Sequence, residues 1–321
     1  MSEHDLKVLI TGATGFLGRE ILKIVERKYT TVVLGRTPPD NYFGEFKQCD
    51  LTQISNQFLD LQSIDVVIHS AARVHIMHNA SLEPLAEYRL INTEATLELA
   101  KSAVESGVKR FIFVSSIKVN GEATTDRLPF KSCDKPDFND PYGQSKFEAE
   151  RLLRELAQET GLEVVIIRPV LVYGPSVKAN FASLMRLISK GMPLPFGSIT
   201  QNKRSLVSIS NLIDLIVTCI NHPKAANQVF LVSDDHDVST SEMVRELAIA
   251  LGKPTWQLPV PIWCYKLFGK LFGKSDIVDR LTGSLQVDIS HTKETLGWKP
   301  PQTLQEGFKQ TAQAFLQANN K

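Results

Sequence analysis

The amino-acid sequence predicts an α/β fold, a doubly wound parallel sheet with a smaller, discontinuous C-terminal domain. Three observations predict it. Short runs rich in Val and Ile recur through the first half, helix-like patterns lie between them, and a glycine-rich turn follows the first run. Because alternating strands and helices form right-handed crossovers, the strands are expected to pair in parallel.

The predicted strands are expected to be covered on both faces, because their apolar runs are nearly continuous rather than alternating. In chain order these runs are "KVLIT", "TTVVLG", "DVVIHSAA", "RFIFVSS" and "EVVIIRPV".

Helices are predicted at "FLGREILKIVERK", "AEYRLINTEATLELAKSAVESG" and "YGQSKFEAERLLRELAQETG". The third has clear limits. Asp140 is a suitable N-cap, Pro141 suits the first helical position, and Gly161 is placed to end the helix.

The turn "TGATGFLG" after the first strand predicts a dinucleotide site. Gly12 permits a tight turn, Gly15 lets backbone N–H groups approach a pyrophosphate at the helix N-terminus, and Gly18 lets the helix and the strand pack closely. The strand–turn–helix context distinguishes this glycine triplet from a chance match.

The end of the second strand bears on the choice of cofactor. An acidic residue there would bind the 2′-hydroxyl of the adenosine ribose, but "VVLGRT" has Gly35 at that position and Arg36 after it. We expect NAD(P), with NADP(H) favoured, unless Arg36 only stacks on adenine or faces solvent. Asp50 and Leu51 are expected to reach the adenine.

A domain boundary is predicted after "RPVLVYGP", where residues 175–203 become rich in Pro, Gly, Asn and Lys. "RSLVSISNLIDLIVTCI" and "QVFLV" then predict a return to the sheet. We therefore expect a Rossmann-type NAD(P)-binding domain at 1–174, completed by about 204–234, and a substrate domain formed by 175–203 and 235–321.

Charge and composition argue against several classes of protein. Lys+Arg total 36 and Asp+Glu 35, so bulk charge favours neither nucleic acid nor a membrane surface, although a local patch stays possible. The four separated cysteines are expected to be free thiols in a reducing cytoplasm. We find no secretion signal and no run of the ~18 apolar residues that a membrane helix needs, and we expect a cytoplasmic protein.

A catalytic group is predicted at the end of the fifth strand, "FVSSIKVNG", which supplies Ser115 and Ser116. Tyr142 and Lys146 follow later in the chain and share one face of a helix. Tyrosine is a poor base near neutral pH, because its pKa is ~10. A lysine and a cationic nicotinamide nearby are expected to favour the phenolate. Without this context, Tyr-x-x-x-Lys would be typical of an ordinary helix surface.

The chain resembles extended short-chain dehydrogenases/reductases, in particular the NAD-dependent epimerase/dehydratase family that acts on nucleotide sugars. The resemblance covers nearly all of the chain and rests on T-G-A-T-G-F-L-G (11–18), H-S-A-A-R (69–73), V-S-S-I-K-V-N-G (114–121), P-Y-G-Q-S-K (141–146) and R-P-V-L-V-Y-G-P (168–175). It implies that Ser116 is the catalytic serine, that Asn92 braces the site, and that the protein is a homodimer.

The motifs and the resemblance together give the expected site. The cofactor residues are Gly12, Thr14, Gly15, Phe16, Leu17, Gly18, Arg36, Asp50, Leu51, Ala71, Ala72, Arg73, Asn92, Lys146, Pro169 and Val172. The resemblance places Ser116, Asn180, Leu184, Arg204 and Arg280 on the UDP-sugar side, with Arg204 on the diphosphate and Arg280 as a second candidate there, whose spacing to "VDIS" differs from the common epimerase pattern.

Three reactions are considered within this family. Related sugar 4,6-dehydratases carry an Asp-Glu pair directly after the catalytic residue, whereas this chain has Ile117 and Lys118, which argues against dehydration. Segments after residue 175 are similar to those of enzymes that act on UDP-N-acetylhexosamines in surface-polysaccharide synthesis, such as UDP-N-acetylquinovosamine dehydrogenase. We expect a 4-keto reductase, with a UDP-hexose or UDP-N-acetylhexosamine 4-epimerase as the alternative.

Other interpretations stay open. A non-catalytic dinucleotide sensor would share the fold, since fold alone does not give function. His69, His75 and His78 suggest a metal only weakly, because no matching Asp, Glu or Cys is near in sequence, and we expect none. "IWCYKLFGKLFGK" could pack over the sugar site, form an oligomer contact or lie on a membrane surface.

Overall fold

The structure is a computed structural model that describes residues 6–56, 59–74, 83–177 and 179–319. Its strands are β1 (Lys7–Thr11), β2 (Thr30–Gly35), β3 (Glu45–Gln48), β4 (Val66–His69), β5 (Arg110–Val114), β6 (Glu163–Pro169), β7 (Leu171–Tyr173), β8 (Arg204–Ser208), β9 (Val229–Val232) and β10 (Asp237–Val238). Its helices are α1 (Phe16–Val25), α2 (Pro84–Arg89), α3 (Ala95–Glu105), α4 (Pro141–Thr160), α5 (Ala179–Ser189), α6 (Ile209–Asn221), α7 (Thr240–Ala250), α8 (Ile262–Leu271), α9 (Ser275–Thr282), α10 (Ser290–Leu296) and α11 (Leu304–Asn319).

Seven of these strands form one parallel sheet in the order β3-β2-β1-β4-β5-β6-β9. The predicted doubly wound sheet is confirmed. The chain reverses its direction of travel across the sheet between β1 and β4, and the carboxyl ends of these two strands mark the crevice where such folds bind ligands.

The inner strands of the large sheet contribute side chains to two cores. In β1, Val8 and Ile10 pack on the side of α1 and α6, whereas Leu9 packs on the side of α3 and α4. Successive side chains point to opposite faces of a strand, so a strand buried on both faces needs a continuous apolar run. This is why the sequence runs lack alternation.

The segment 204–234 does not all return to the large sheet, which corrects one expectation. Val229–Val232 joins it as β9 beside β6, but Arg204–Ser208 pairs with Leu171–Tyr173 and with β10 in a separate three-stranded sheet. The apolar runs of β8 and β9 look alike, and only the available partner strands distinguish them.

A third core lies under this smaller sheet. Its side chains come from β7, β8, α5, α7 and α11, and include Tyr173, Phe181, Leu247 and Phe308. Within the part of the chain that the structure describes, no helix is both long and apolar enough to cross a membrane.

Candidate active site

The floor of the crevice is a buried histidine between β1 and α3. His69 Nδ1 lies 2.8 Å from Thr11 Oγ1, and its Nε2 lies 3.0 Å from Thr96 Oγ1. Burial, with a smaller effect of the Lys146 charge, lowers the pKa of His69 to about 3. The ring is therefore neutral near pH 7, and its two hydrogen bonds connect β4 to β1 and to α3 beneath the site.

His69 is thus engaged in hydrogen bonds, while His75 and His78 lie outside the described residues. In the described parts of the chain, no group of three His, Cys, Asp or Glu side chains could hold a metal ion.

The glycine loop holds the N-terminus of α1 close to the segment after β4. Gly12 has φ +74°, and a Cβ there would lie 2.7 Å from the Ala71 nitrogen. A Cβ on Gly18 would overlap the Gly12 carbonyl oxygen. Larger residues at either position would therefore separate the strand from the helix or fill the crevice.

The start of α1 is suited to an anion. Gly15 is its N-cap and offers no side-chain hydrogen bond, so the first backbone N–H groups have no side-chain acceptor. Thr14 beside it is exposed, and Phe16 and Leu17 are partly buried against the core. These residues fit a dinucleotide whose pyrophosphate lies at the helix N-terminus.

The expected adenosine end lies at the edge formed by β2 and β3. Arg36 is exposed after β2, and Leu51 begins the short turn after β3. Asp50 Oδ1 accepts hydrogen bonds from the Thr52 nitrogen and hydroxyl. These bonds, with a smaller effect of Arg36, keep the pKa of Asp50 below its usual value. A carboxylate and a guanidinium therefore share this edge.

Asn92 connects the loop after β4 to α4. Its Oδ1 accepts from the Arg73 nitrogen at 2.8 Å, and its Nδ2 donates to the Arg73 carbonyl and to Ser145 Oγ, each at 3.0 Å. The predicted single helix is interrupted here by a π turn at Leu90–Glu94, which rotates Asn92 into the interior. The Arg73 side chain pairs with Glu87 at 2.8 Å.

The first turn of α4 is fixed from two sides. Asp140 caps the helix by accepting from the nitrogens of Tyr142 at 2.9 Å and Gly143 at 3.1 Å. Lys118 Nζ donates to the other oxygen of Asp140 at 3.0 Å. A Cβ on Gly143 would lie only 2.8 Å from the Lys118 carbonyl oxygen, so the short turn after β5 packs directly on α4.

The two serines after β5 have different partners. Ser115 Oγ donates to the buried Glu150 carboxylate at 2.6 Å, on the interior side of α4. Ser116 instead lies beside Tyr142, where its hydroxyl lowers the pKa of the phenol, and its Oγ accepts from the Lys118 nitrogen at 3.3 Å. Ser116 is therefore the serine that accompanies Tyr142.

The Tyr142 phenol is protonated in the protein alone. Desolvation is the largest cause, and it raises the pKa of Tyr142 well above its usual value; the Ser116 hydrogen bond lowers it, while the charge of Asp140 raises it further. Burial outweighs the effect of Ser116 on this pKa, and the expectation that Lys146 and a nicotinamide together favour the phenolate stays a prediction.

Lys146 lies one turn further along α4 and is fully buried. Its Nζ donates to the Val114 carbonyl at 2.9 Å and lies 4.4 Å from the centre of the Phe113 ring. Burial lowers the pKa of Lys146 to about 7, and the nearby Glu150 opposes this shift. A lysine that titrates near neutrality inside a crevice is typical of a functional site.

A buried ionic network supports this group and was missed in the sequence. Glu150 accepts from Arg168 Nε at 2.9 Å and from Arg154 at 2.8 Å, and Arg168 Nη1 donates to Asn120 Oδ1 at 2.9 Å. The network links α4, β6 and the segment after β5. Its one sequence signal is that Tyr142, Lys146 and Glu150 follow one another at intervals of four.

The two residues after Ser116 have no acid–base role here. Ile117 is buried in the core, and Lys118 pairs with the Asp140 cap. The geometry agrees with the sequence argument that this site lacks the carboxylates of a dehydratase.

On the expected substrate side, the structure brings Arg204 and Arg280 together. Arg204 Nη1 donates to the Arg280 carbonyl at 2.6 Å, and burial with the like charge of Arg280 lowers the pKa of Arg204. Leu184 on α5 packs against the third core, and the Asn180 side chain lies outside the described residues.

The expected nicotinamide end lies at the junction of the two sheets. Pro169 ends β6, which is the inner neighbour of the edge strand β9. Val172 lies in the middle of β7 and pairs with Val207 of β8.

A Rossmann sheet with a Ser–Tyr–Lys group at the carboxyl ends of its strands defines an extended short-chain dehydrogenase/reductase. The chain belongs to the NAD dependent epimerase/dehydratase family, which its residues 8–233 match. Membership of this family makes the protein an enzyme and supports the binding of NAD.

Two relatives and one solved structure illustrate the relationship. The chain is 68% identical over 317 residues to a UDP-glucose 4-epimerase of Vibrio cholerae, covering 98% of this chain and 97% of that protein. It is 28% identical to an N-acetyl-alpha-D-glucosaminyl-diphospho-ditrans,octacis-undecaprenol 4-epimerase of Escherichia coli O157:H7, covering 95% and 94%. The fold matches UDP-glucose 4-epimerase of Thermotoga maritima with UDP-glucose, with TM-score 0.77, 21% identity, and 98% and 100% coverage.

Proposed function

We propose that this protein is an NAD-dependent UDP-sugar 4-epimerase. The observation that carries the proposal is that Ser116, Tyr142 and Lys146 lie together, with the Ser116 hydroxyl lowering the pKa of Tyr142, Lys146 one turn further along α4, and no carboxylate at the two positions after Ser116. The 68% identity to a UDP-glucose 4-epimerase supports the reaction and suggests UDP-glucose and UDP-galactose as substrates.

Tyr142 is the group that moves the proton. Its phenolate accepts the proton of the sugar 4-hydroxyl, and the phenol returns a proton to the same oxygen after the sugar has turned. Ser116 holds that oxygen in line and stabilises the phenolate, because its hydrogen bond lowers the Tyr142 pKa. When bound, NAD supplies the hydride acceptor and donor and adds a positive charge to the site.

The 4-keto reductase that the sequence favoured has less support than this epimerase. It rested on the resemblance of the segments after residue 175 and on Arg36 as a ligand for an NADP phosphate. Asp50 shares that edge, and its carboxylate would repel a 2′-phosphate. We therefore propose NAD rather than NADP.

The test is direct. Purified protein with NAD is incubated with UDP-glucose, UDP-galactose, UDP-N-acetylglucosamine or UDP-N-acetylgalactosamine, and products are assigned by proton NMR while nicotinamide absorbance is followed. We expect the 4-epimer with no net change in NADH. A one-way consumption of NADPH by a 4-keto sugar, with no epimer from any UDP-sugar, would establish the reductase instead.

Replacing Tyr142 separates catalysis from simple dinucleotide binding. We expect Tyr142→Phe to lower turnover by about 10²- to 10⁴-fold, because the proton-transfer group is lost. NAD affinity, measured by calorimetry, should stay nearly unchanged. Tyr88→Phe, which alters the ring that packs edge-on against Tyr142 with centroids 5.8 Å apart, is the matched control. Full activity in Tyr142→Phe would contradict the catalytic role.

A further inference from the structure

Helix α8 and the turn after it present an unusual exposed surface. We define the α8 surface as Trp263, Lys266, Leu267, Phe268, Lys270, Leu271, Phe272 and Lys274. Trp263 is 65% exposed, Leu271 69% and Phe272 70%. Large apolar side chains scattered singly over a protein surface are ordinary, but five within ten residues form a patch that calls for a partner.

The contacts that α8 makes within the chain do not use the α8 surface. Helix α8 packs on α9 through its opposite side, where a Cβ on the buried Gly269 would lie 2.8 Å from Val278 Cγ2. Tyr265, on the same inner side, is partly buried. The apolar side chains of the α8 surface therefore stay exposed after α8 has made its contacts within the chain.

The charge of the α8 surface has one sign. Lys266, Lys270 and Lys274 are exposed, and none of them forms an ion pair with any residue that the structure describes. The sequence has no Asp or Glu from Leu247 to Ser275. Although the whole chain has a net charge of only +1, this patch is basic.

The side chains are arranged as in a helix that lies on a membrane. Trp263, Leu267 and Leu271 follow one another at intervals of four and form one row, and Lys266 and Lys270 run beside it. Lysine stems reach along apolar surface and keep the ammonium in the headgroup layer. Tryptophan favours the same layer, since its ring is amphipathic.

We propose that the α8 surface binds the anionic face of a phospholipid membrane and holds the enzyme there as a peripheral protein. The three lysines complement anionic headgroups, and the apolar row enters the boundary of the acyl chains. A second copy of the chain fits less well, because a two-fold contact through this surface would place equal lysine rows near each other.

The proposal goes beyond the catalytic function and has a test that does not depend on activity. Full-length protein is mixed with vesicles of phosphatidylcholine alone or of phosphatidylcholine with phosphatidylglycerol, and the vesicles are floated in a density gradient. We expect flotation only with phosphatidylglycerol, and release of the protein when salt is raised, because surface charges are screened. No flotation with anionic vesicles at low salt would overturn the proposal.

Variants then assign the binding to α8. We expect Lys266→Glu/Lys270→Glu to weaken vesicle partitioning at least about 25-fold, from roughly fivefold for each lysine lost near an anionic surface. Trp263→Ser/Leu271→Ser should lose partitioning while keeping all three lysines. Phe43→Ser, at a site 95% exposed on another part of the molecule, and Lys28→Glu/Lys309→Glu are the matched controls.

Thermal unfolding of each variant tests whether the fold is retained. If the charge-reversal variant does not fold, Lys266→Gln/Lys270→Gln replaces it in the vesicle experiment. Equal loss of partitioning in the controls would overturn the assignment to α8. Sedimentation in which the α8 variants become smaller species, with vesicle binding unchanged, would make the surface a protein–protein contact and would also overturn it.

Discussion

Ser115 Oγ donates a 2.6 Å hydrogen bond to the buried Glu150 carboxylate, and this bond assigns different roles to two adjacent serines. Ser115 joins the ionic network beneath α4, which leaves Ser116 beside Tyr142, where its hydroxyl lowers the pKa of the phenol. The strand end "VSS" offers two hydroxyls, and the position of Glu150 decides which one faces the reacting group.

The two serines should therefore respond differently to removal of the hydroxyl. We expect Ser116→Ala to lower kcat about 10- to 100-fold, because a hydrogen bond to a charged group is lost. The activity profile should also shift to higher pH, since the Ser116 bond lowers the Tyr142 pKa.

Ser115→Ala is the control for that prediction. It should leave kcat nearly unchanged and lower the free energy of unfolding by about 1–3 kcal/mol, because the Glu150 carboxylate loses a donor. Kinetics across pH and urea unfolding give both readouts. A larger loss of kcat in Ser115→Ala than in Ser116→Ala would contradict this assignment.

Lys146 should make stability depend on pH in an unusual direction. Its pKa is about 7 in the folded protein, against ~10.4 for a free lysine. Below about pH 7 Lys146 is protonated in both the folded and the unfolded protein. Folding then buries a full positive charge, which lowers the free energy of unfolding. That cost falls as pH rises from about 7 towards 10, because the folded protein releases its proton first.

The comparison variant is Lys146→Met. The unfolding free energy of the wild type, relative to Lys146→Met, should increase above about pH 7 by at most about 1.4 kcal/mol per pH unit. Urea unfolding of both proteins in the absence of NAD measures this difference. A difference that stays constant with pH would show that Lys146 keeps an ordinary pKa.

The glycine loop gives a matched pair of substitutions. A Cβ on Gly18 overlaps the Gly12 carbonyl, whereas a Cβ on Gly15 lies 3.2 Å from the same oxygen and Gly15 has φ −78°. We expect Gly18→Ala to cost about 1–3 kcal/mol by overpacking and to weaken NAD binding at least tenfold. Gly15→Ala should cost about 1 kcal/mol or less. Urea unfolding and NAD calorimetry test the pair, and equal stability losses would contradict it.

The paired arginines should affect substrate binding. We expect Arg280→Ala to raise the KM for a UDP-sugar about tenfold with kcat and stability nearly unchanged, because among the described residues its exposed guanidinium bonds only the Asp276 carbonyl, within α9. Arg204→Ala should raise KM and also lower the unfolding temperature, since Arg204 holds the Arg280 carbonyl at 2.6 Å. Steady-state kinetics and thermal unfolding provide the measurements.

Arg245→Ala on α7 is the control. A KM equal to that of the wild type in Arg280→Ala would show that Arg280 does not contact the diphosphate.

Local sequence signals predicted much of the fold. Continuous Val/Ile runs identified the buried parallel strands, and Asp140 and Gly161 marked both ends of α4, where Asp140 bonds two backbone nitrogens and Gly161 has φ +78°. The similar run at Arg204–Ser208 was assigned to the wrong sheet, because strand pairing depends on partners elsewhere in the chain. The π turn that carries Asn92 was also missed, since helical periodicity continues through it.

The sequence by itself determined the parallel sheet, the glycine loop and the Tyr142–Lys146 spacing, because periodicity, turns and caps are properties of neighbouring residues. Only the tertiary structure decided that Glu150 draws Ser115 inward, that Arg204 meets Arg280, and that Lys146 titrates near pH 7. These features depend on desolvation and on contacts between residues far apart in the chain, and no local pattern encodes either.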